Sequence, residues 1–244
     1  MNQKNLASLA AVIGAGAILT SAACGATIIS NAADATIKAD GSVQNGTSNE
    51  LITGRSFASE DRSSIYLFAL PNLGATVDPF TSASFSVEFK STKNMVDGQP
   101  NVDLYALASR STTAITGADH YSGVYQTDGS VGVALQDDYL TPSTAVETVY
   151  VTGAGANASL LAYLNSAYDG GNGIGNFAVI RLSTDGVVGT DVRYNTTTSE
   201  GAIAADNASL APTINFTAVP EPSAPILLGG AALLLGLRRN RRQG

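Results

Sequence analysis

His120 is the only histidine in the 244 residues. A Ser-His-Asp relay needs a base that titrates near neutrality beside its nucleophile, so the whole case for that chemistry would rest on one ring in Gly117-Ala118-Asp119-His120-Tyr121-Ser122-Gly123, and the chain has no Gly-x-Ser-x-Gly elbow. The same loop offers another chemistry. His120, Tyr121 and Tyr125, with Asp119 and Asp128, could present flat rings and hydrogen-bonding edges to a sugar, the bland alternative being half-buried edge packing of the tyrosines with solvated tips. Hard oxygen ligands for a structural calcium could come from Asp34, Asp40, Asp137 and Asp138, although none has EF-hand spacing and the ordinary place for such acids is a turn. No other cofactor is expected. The paired carboxylates of a glycoside hydrolase leave no local signature, yet sugar clefts of that kind are usually lined by aromatic platforms and this chain has no Trp. No enzyme is expected.

The elements that would position these residues read as strands. Short alternating apolar runs are separated by Gly, Asn, Asp and Ser. In Ala83 to Lys90, Phe85, Val87 and Phe89 fall on one face and Ser84, Ser86, Glu88 and Lys90 on the other, as a sheet with one buried side demands. Ser64 to Leu70 is apolar on both faces and is ended by Pro71, which reads as a central strand. Further strands are expected at 34–38, 102–107, 131–135, 146–151, 176–182 and 213–218. One stretch has helical spacing instead: Leu160, Leu161, Leu164, Ala167 and Tyr168, with Asn157 to cap its start and Gly170-Gly171 to stop it. The pattern predicts an all-β, jelly-roll-like β-sandwich carrying one short helix.

Both ends of the chain read as addresses. Lys4, the apolar and Gly/Ala-rich run from Leu6 to Leu19, and the small residues Ser21 to Ala26 compose a signal peptide, residues 1–26, with signal peptidase cutting after Ala26; a cut after Ala23 also satisfies the small-residue rule. The second cut would leave Cys24 at the new N-terminus, which raises lipidation, but a lipoprotein signal usually has Leu three residues before the cysteine and here that residue is Ser21. A body at 27–219 would contain no cysteine, hence no disulfide framework and no thiolate metal site. It would hold 8 Lys and Arg against 19 Asp and Glu, a formal charge of -11, which argues against nucleic acid as a partner and is what a soluble exported protein shows.

Residues 220–244 open with Pro220, Glu221 and Pro222, continue through a charge-free run from Ile226 to Leu237 and finish with Arg238, Arg239, Arg241 and Arg242. The prolines make an exposed spacer, the 15 residues from Ser223 to Leu237 would reach roughly 22 Å as a helix, short of a bilayer core, and the arginines stay on the cytoplasmic side. This order resembles the PEP-CTERM sorting signal of Gram-negative bacteria that build exopolysaccharide envelopes. The resemblance implies export, transient retention in the inner membrane through the short transmembrane helix, and cleavage near Pro220-Glu221-Pro222 by an exosortase. The plain alternative is a C-terminal anchor that nothing cleaves.

A second resemblance covers about residues 33–110. Asp34-Ala35-Thr36-Ile37, the Asn45 to Ser48 turn, Arg62 to Phe68 and the strands at Ser84 to Phe89 and Val102 to Tyr105 are similar to the start of the DNRLRE-type module, a jelly-roll related to carbohydrate-binding modules, although the hexapeptide that names that family is absent. The expectation is a cell-surface or extracellular-matrix protein with a structural or adhesive role in exopolysaccharide or biofilm. The alternatives are a carbohydrate-binding module for that exopolysaccharide and a glycoside hydrolase acting on it.

Overall fold

The computed structural model describes residues 24–45, 49–55, 60–73, 78–96, 98–123, 132–168, 176–186 and 191–218, all within one compact unit, Ala23–Pro220. These residues form twelve strands, every ladder antiparallel. In chain order they are β1 (Cys24–Ile29), β2 (Ala35–Lys38), β3 (Val43–Asn45), β4 (Glu50–Arg55), β5 (Asp61–Ala69), β6 (Phe80–Lys93), β7 (Val102–Arg110), β8 (Gly132–Leu140), β9 (Thr148–Val151), β10 (Phe177–Thr184), β11 (Arg193–Thr197) and β12 (Thr213–Ala218).

The 14-residue β6 ties the sheet together. β12 pairs with Phe80–Ser86 and β11 with Phe89–Lys93, while β9 pairs with Ser86–Phe89. Because β9 shares Ser86 with β12 and Phe89 with β11, it must take one edge while the other two follow each other along the opposite edge. From β11 the sheet continues through β4, β5, β10 and β7 to β8, and β2 joins the free edge of β5. Register shifts in the β6 ladders at Asn195/Thr196 and Thr217/Ala218 let the long strand bend, so the sheet curls back over its own apolar face.

The core follows from the alternation. Phe85, Val87 and Phe89 are fully buried, as the pattern predicts, and Phe85 meets Tyr66, Phe68 and Tyr139 at ring-centre distances of 6.2, 6.0 and 5.9 Å. The polar face of β6 is less open than its composition suggests: Ser86 and Glu88 are also buried, Glu88 accepting the Thr197 hydroxyl of β11. Ile65, Tyr66, Leu67 and Phe68 have no exposed surface, since β5 is covered on both faces. Tyr66 and Phe68 enter the main core, whereas Ile65 and Leu67 join Ile37, Leu107 and Val179 in a second cluster.

Helix α1 (Ala154–Tyr168) fills the space beside β6 and β8, burying Leu160, Tyr163, Leu164, Ala167 and Tyr168. Asn165 pins it to β6, its amide oxygen accepting the Phe80 N–H at 2.9 Å and its amide nitrogen donating to the Phe80 carbonyl at 3.1 Å. The Tyr163 hydroxyl accepts the Val179 N–H at 2.9 Å. The helix begins three residues before Asn157, which is therefore not its cap: the Asn157 N–H already bonds to Gly153 O, and its side chain accepts the Thr152 hydroxyl. A second helix, α2 (Ser199–Ala204), is unannounced by any apolar periodicity. Its Thr198 cap accepts the Gly201 N–H at 2.9 Å, and Gly201 must be glycine because a Cβ there would stand 2.2 Å from the Asn49 carbonyl oxygen.

No helix among the described residues is long and apolar enough to cross a membrane. The leader up to Ala23, the Pro220-Glu221-Pro222 motif, the apolar run after it and Arg238, Arg239, Arg241 and Arg242 lie outside the described residues, as does Tyr125.

Candidate functional site

β7 and β8 lose register where the sequence turns acidic. Val102 pairs with Leu140 and Leu104 with Gln136, so Asp137, Asp138 and Tyr139 stand against the single residue Asp103. The bulge sends Asp138 into the left-handed region at φ 51°, a conformation that aspartate tolerates better than most residues. On the other side of β7, Ser183 pairs with Asp103 and Thr184 with Val102, and the chain leaving β10 delivers Asp185, whose N–H donates to Asn101 O at 3.0 Å. Each of Asp103, Asp137, Asp138 and Asp185 can offer one oxygen such that all four lie within 4.8 Å of one another.

Four carboxylates this close repel unless protons or a cation intervene. Asp103 is fully buried, accepting the Asp138 N–H at 3.1 Å and the Tyr105 hydroxyl at 3.4 Å. Burial, then its hydrogen bond with Asp185 and the Asp185 and Asp137 charges, push its pKa up to about 8. Asp137 is also raised, by desolvation first and then by the charges of Asp138 and Asp185. Oxygens on opposite sides of a calcium ion bound at 2.3–2.6 Å are about 5 Å apart, so the separation suits one hard cation. Beside the cluster lies a shallow polar cleft of 390 Å³ lined by Gly98, Gln99, Asn101, Thr141, Pro142 and Ser143, and Asn101 joins the two by donating to Asp138 at 2.6 Å.

Of the four carboxylates that sequence offers for calcium, Asp137 and Asp138 thus come together and the other two do not join them. Asp34 is buried under β5, accepting the Leu67 N–H at 2.9 Å, and desolvation raises its pKa. Asp40 caps an exposed turn, accepting the Ser42 N–H at 2.8 Å, and the hydrogen bonds from Ser42 lower its pKa. Asp103 and Asp185 were not singled out in the sequence. The available signal was Asp103 itself, a carboxylate inside the apolar run Val102 to Leu107, which burial makes costly without a partner.

The loop with His120 and Tyr121 closes over the second face of β5, β10 and β7. Beneath it lies Arg181, the largest fully buried side chain. Its guanidinium carbon is 4.6 Å from the centre of the Tyr105 ring and 5.1 Å from that of Tyr121, and the two rings meet edge to face at 5.9 Å. The Ser63 hydroxyl donates to Tyr121 O at 2.7 Å, while Arg110 holds Asp119 by two contacts of 2.7 and 3.0 Å. The Tyr121 ring is thus engaged from below by Arg181. Burial lowers the His120 pKa; the Asp61 charge opposes this and the Arg181 charge reinforces it.

No family model matches the sequence, and no curated protein matches it.

Proposed function

We propose that the chain is an exported, non-enzymatic, jelly-roll-like β-sandwich that an exosortase system delivers to the cell surface or extracellular matrix of a Gram-negative bacterium, where it has a structural or adhesive role in exopolysaccharide. The observation that carries this reading is the C-terminal order of Pro220-Glu221-Pro222, uncharged run and arginine cluster. The body supports it in one respect. β12 ends at Ala218, so a cut near Pro220 removes a tail and leaves every described strand in place.

A carbohydrate-binding module is the second reading, favoured by the polar cleft that Asn101 joins to the four carboxylates. In this reading Asp103, Asp137, Asp138 and Asp185 hold a calcium ion that stiffens the β7–β8 bulge, and the amides and hydroxyls of the cleft meet the sugar. One experiment separates the readings: a glycan array with the secreted protein, in calcium and in chelator, alongside a search for sugar release. Binding that chelator abolishes would favour the module, turnover would favour a glycoside hydrolase, and neither would leave the structural role standing.

A further inference from the structure

Among the described residues β1 is an edge strand whose only ladder partner is β12, with six residue pairs running from Cys24↔Ala218 to Ile29↔Thr213. Half of that ladder, Cys24↔Ala218, Gly25↔Thr217 and Ala26↔Phe216, uses residues that a signal peptidase cutting after Ala26 would remove. What remained of the strand would be Thr27 to Ile29, in which Ile28 alone packs against the core. The loss would also fall on a sensitive place. Phe216 and Ala218 are buried core residues of the last described strand, and deleting their partners would leave the end of β12 with an unpaired edge.

Leader chemistry allows an alternative at no cost. A cut after Ala23 places Ala23 and Ser21 at the two positions that must be small, which meets the requirement as well as Ala26 with Cys24 does. The two bonds are equivalent to the peptidase's small-residue rule and unequal to the fold. We infer that the leader is removed between Ala23 and Cys24, so that the mature protein begins with the first residue of β1 and keeps the chain's one cysteine. The mature N-terminus is then paired with a residue two positions before the sorting motif, and a single thiol with a neighbouring α-amine becomes the only site on the mature chain for thiol-directed modification.

The assignment rests on the export reading, and the test keeps the two apart. The full-length chain with its own leader is produced in a Gram-negative host, and the exported protein is analysed by intact mass and by its N-terminal peptide. The expected first residue is Cys24, with its amine free or acylated. A first residue of Thr27 overturns the assignment while leaving export intact, whereas a chain still starting at Met1 overturns both. Two leader variants give an independent readout. Ala23→Leu should abolish the Cys24 N-terminus, because it fills the small position next to the cut, and any chain still processed should then start at Thr27; Ala26→Leu should be processed like the parent, because Ala26 is then an exposed residue of β1. Normal processing of Ala23→Leu together with blocked Ala26→Leu would sink the inference.

Discussion

The buried carboxylate of Asp103 accepts the backbone N–H of Asp138 at 3.1 Å, across a bulge in which three residues of β8 face one of β7. The contact draws the Asp138 backbone, and with it two carboxylates, toward a third. In chelator Asp103 should make stability depend on pH with a definite sign. Its native pKa of about 8 lies above that of an unfolded aspartate, about 3.9, so between these values the native state holds a proton that the unfolded chain releases. Stability from this group is therefore present at low pH and falls as pH rises through the window to about 8. Thermal melts of the parent and Asp103→Asn should show the slope in the first and a flatter profile in the second.

Calcium should act on the same four groups. An ion held by Asp103, Asp137, Asp138 and Asp185 replaces the proton, so at neutral pH it should raise the melting temperature by several degrees at concentrations well above its dissociation constant and reduce the pH slope. Asp137→Asn with Asp138→Asn should lose the response. A melting curve identical in calcium and chelator would mean that protons alone relieve the repulsion.

Phe85 sets the scale for the core. It has no exposed surface and touches three aromatic rings contributed by β5 and β8. Phe85→Ala should cost about 3–5 kcal/mol in urea unfolding, and Phe85→Leu distinctly less because most of the volume is retained. Ser84→Ala, on the opposite face of the same strand, should stay within about 0.5 kcal/mol.

What the sequence disclosed and what it hid divide along one physical line. β5, β6 and β12 were legible because the hydrophobic effect writes burial into alternating or continuous apolar residues, and α1 because one face of it is apolar at helical spacing. β11, Arg193-Tyr194-Asn195-Thr196-Thr197, and β4, Glu50-Leu51-Ile52-Thr53-Gly54-Arg55, escaped although both are paired on two sides. Several of their side chains reach hydrogen-bond or ion-pair partners across the sheet, among them the Asn195 amide nitrogen to Ser91 at 2.9 Å and Arg55 to Asp61 at 2.8 Å, and such partners have no period. The acidic cluster shows the same limit. Asp137 and Asp138 stand out as a pair, but Asp103 and Asp185 reach them only through ladder register, which no local pattern records.

Arg181 should be intolerant of exchange. Its guanidinium packs within 4.6 Å of the Tyr105 ring centre and under Tyr121, so Arg181→Lys loses the planar stacking although it keeps the charge. Arg181→Lys should cost about 1–2 kcal/mol and Arg181→Ala about 3–5 kcal/mol, with faster hydrogen exchange at Tyr121 as the loop above loosens. His120, in that loop, should contribute a pH dependence opposite to that of Asp103. Its native pKa is depressed below about 6.5, so its contribution is present above that value and is lost as pH falls through the native pKa. His120→Gln should remove this acid-side loss.

The last prediction concerns processing, and it turns on Glu221. A permanent anchor would not depend on a carboxylate several residues outside the lipid, so Glu221→Ala would leave the size and location of the protein unchanged. For an exosortase, Glu221 is the one charged group held between two rigid prolines, which makes it the natural recognition handle. Its removal should leave an uncleaved precursor in the membrane fraction. Replacing Arg238, Arg239, Arg241 and Arg242 by Gln should act at a different step, because the short span then loses the charges that hold its end in the cytoplasm and should slip from the membrane before it is cut. Mass spectrometry of the surface and released pools from the native host reads both effects. The parent should show a new C-terminus between Pro220 and Ser223, Glu221→Ala should retain Gly244 in the membrane, and the arginine variant should appear outside the membrane with Gly244 still attached; a parent that keeps Gly244 in its mature pool would refute the sorting reading.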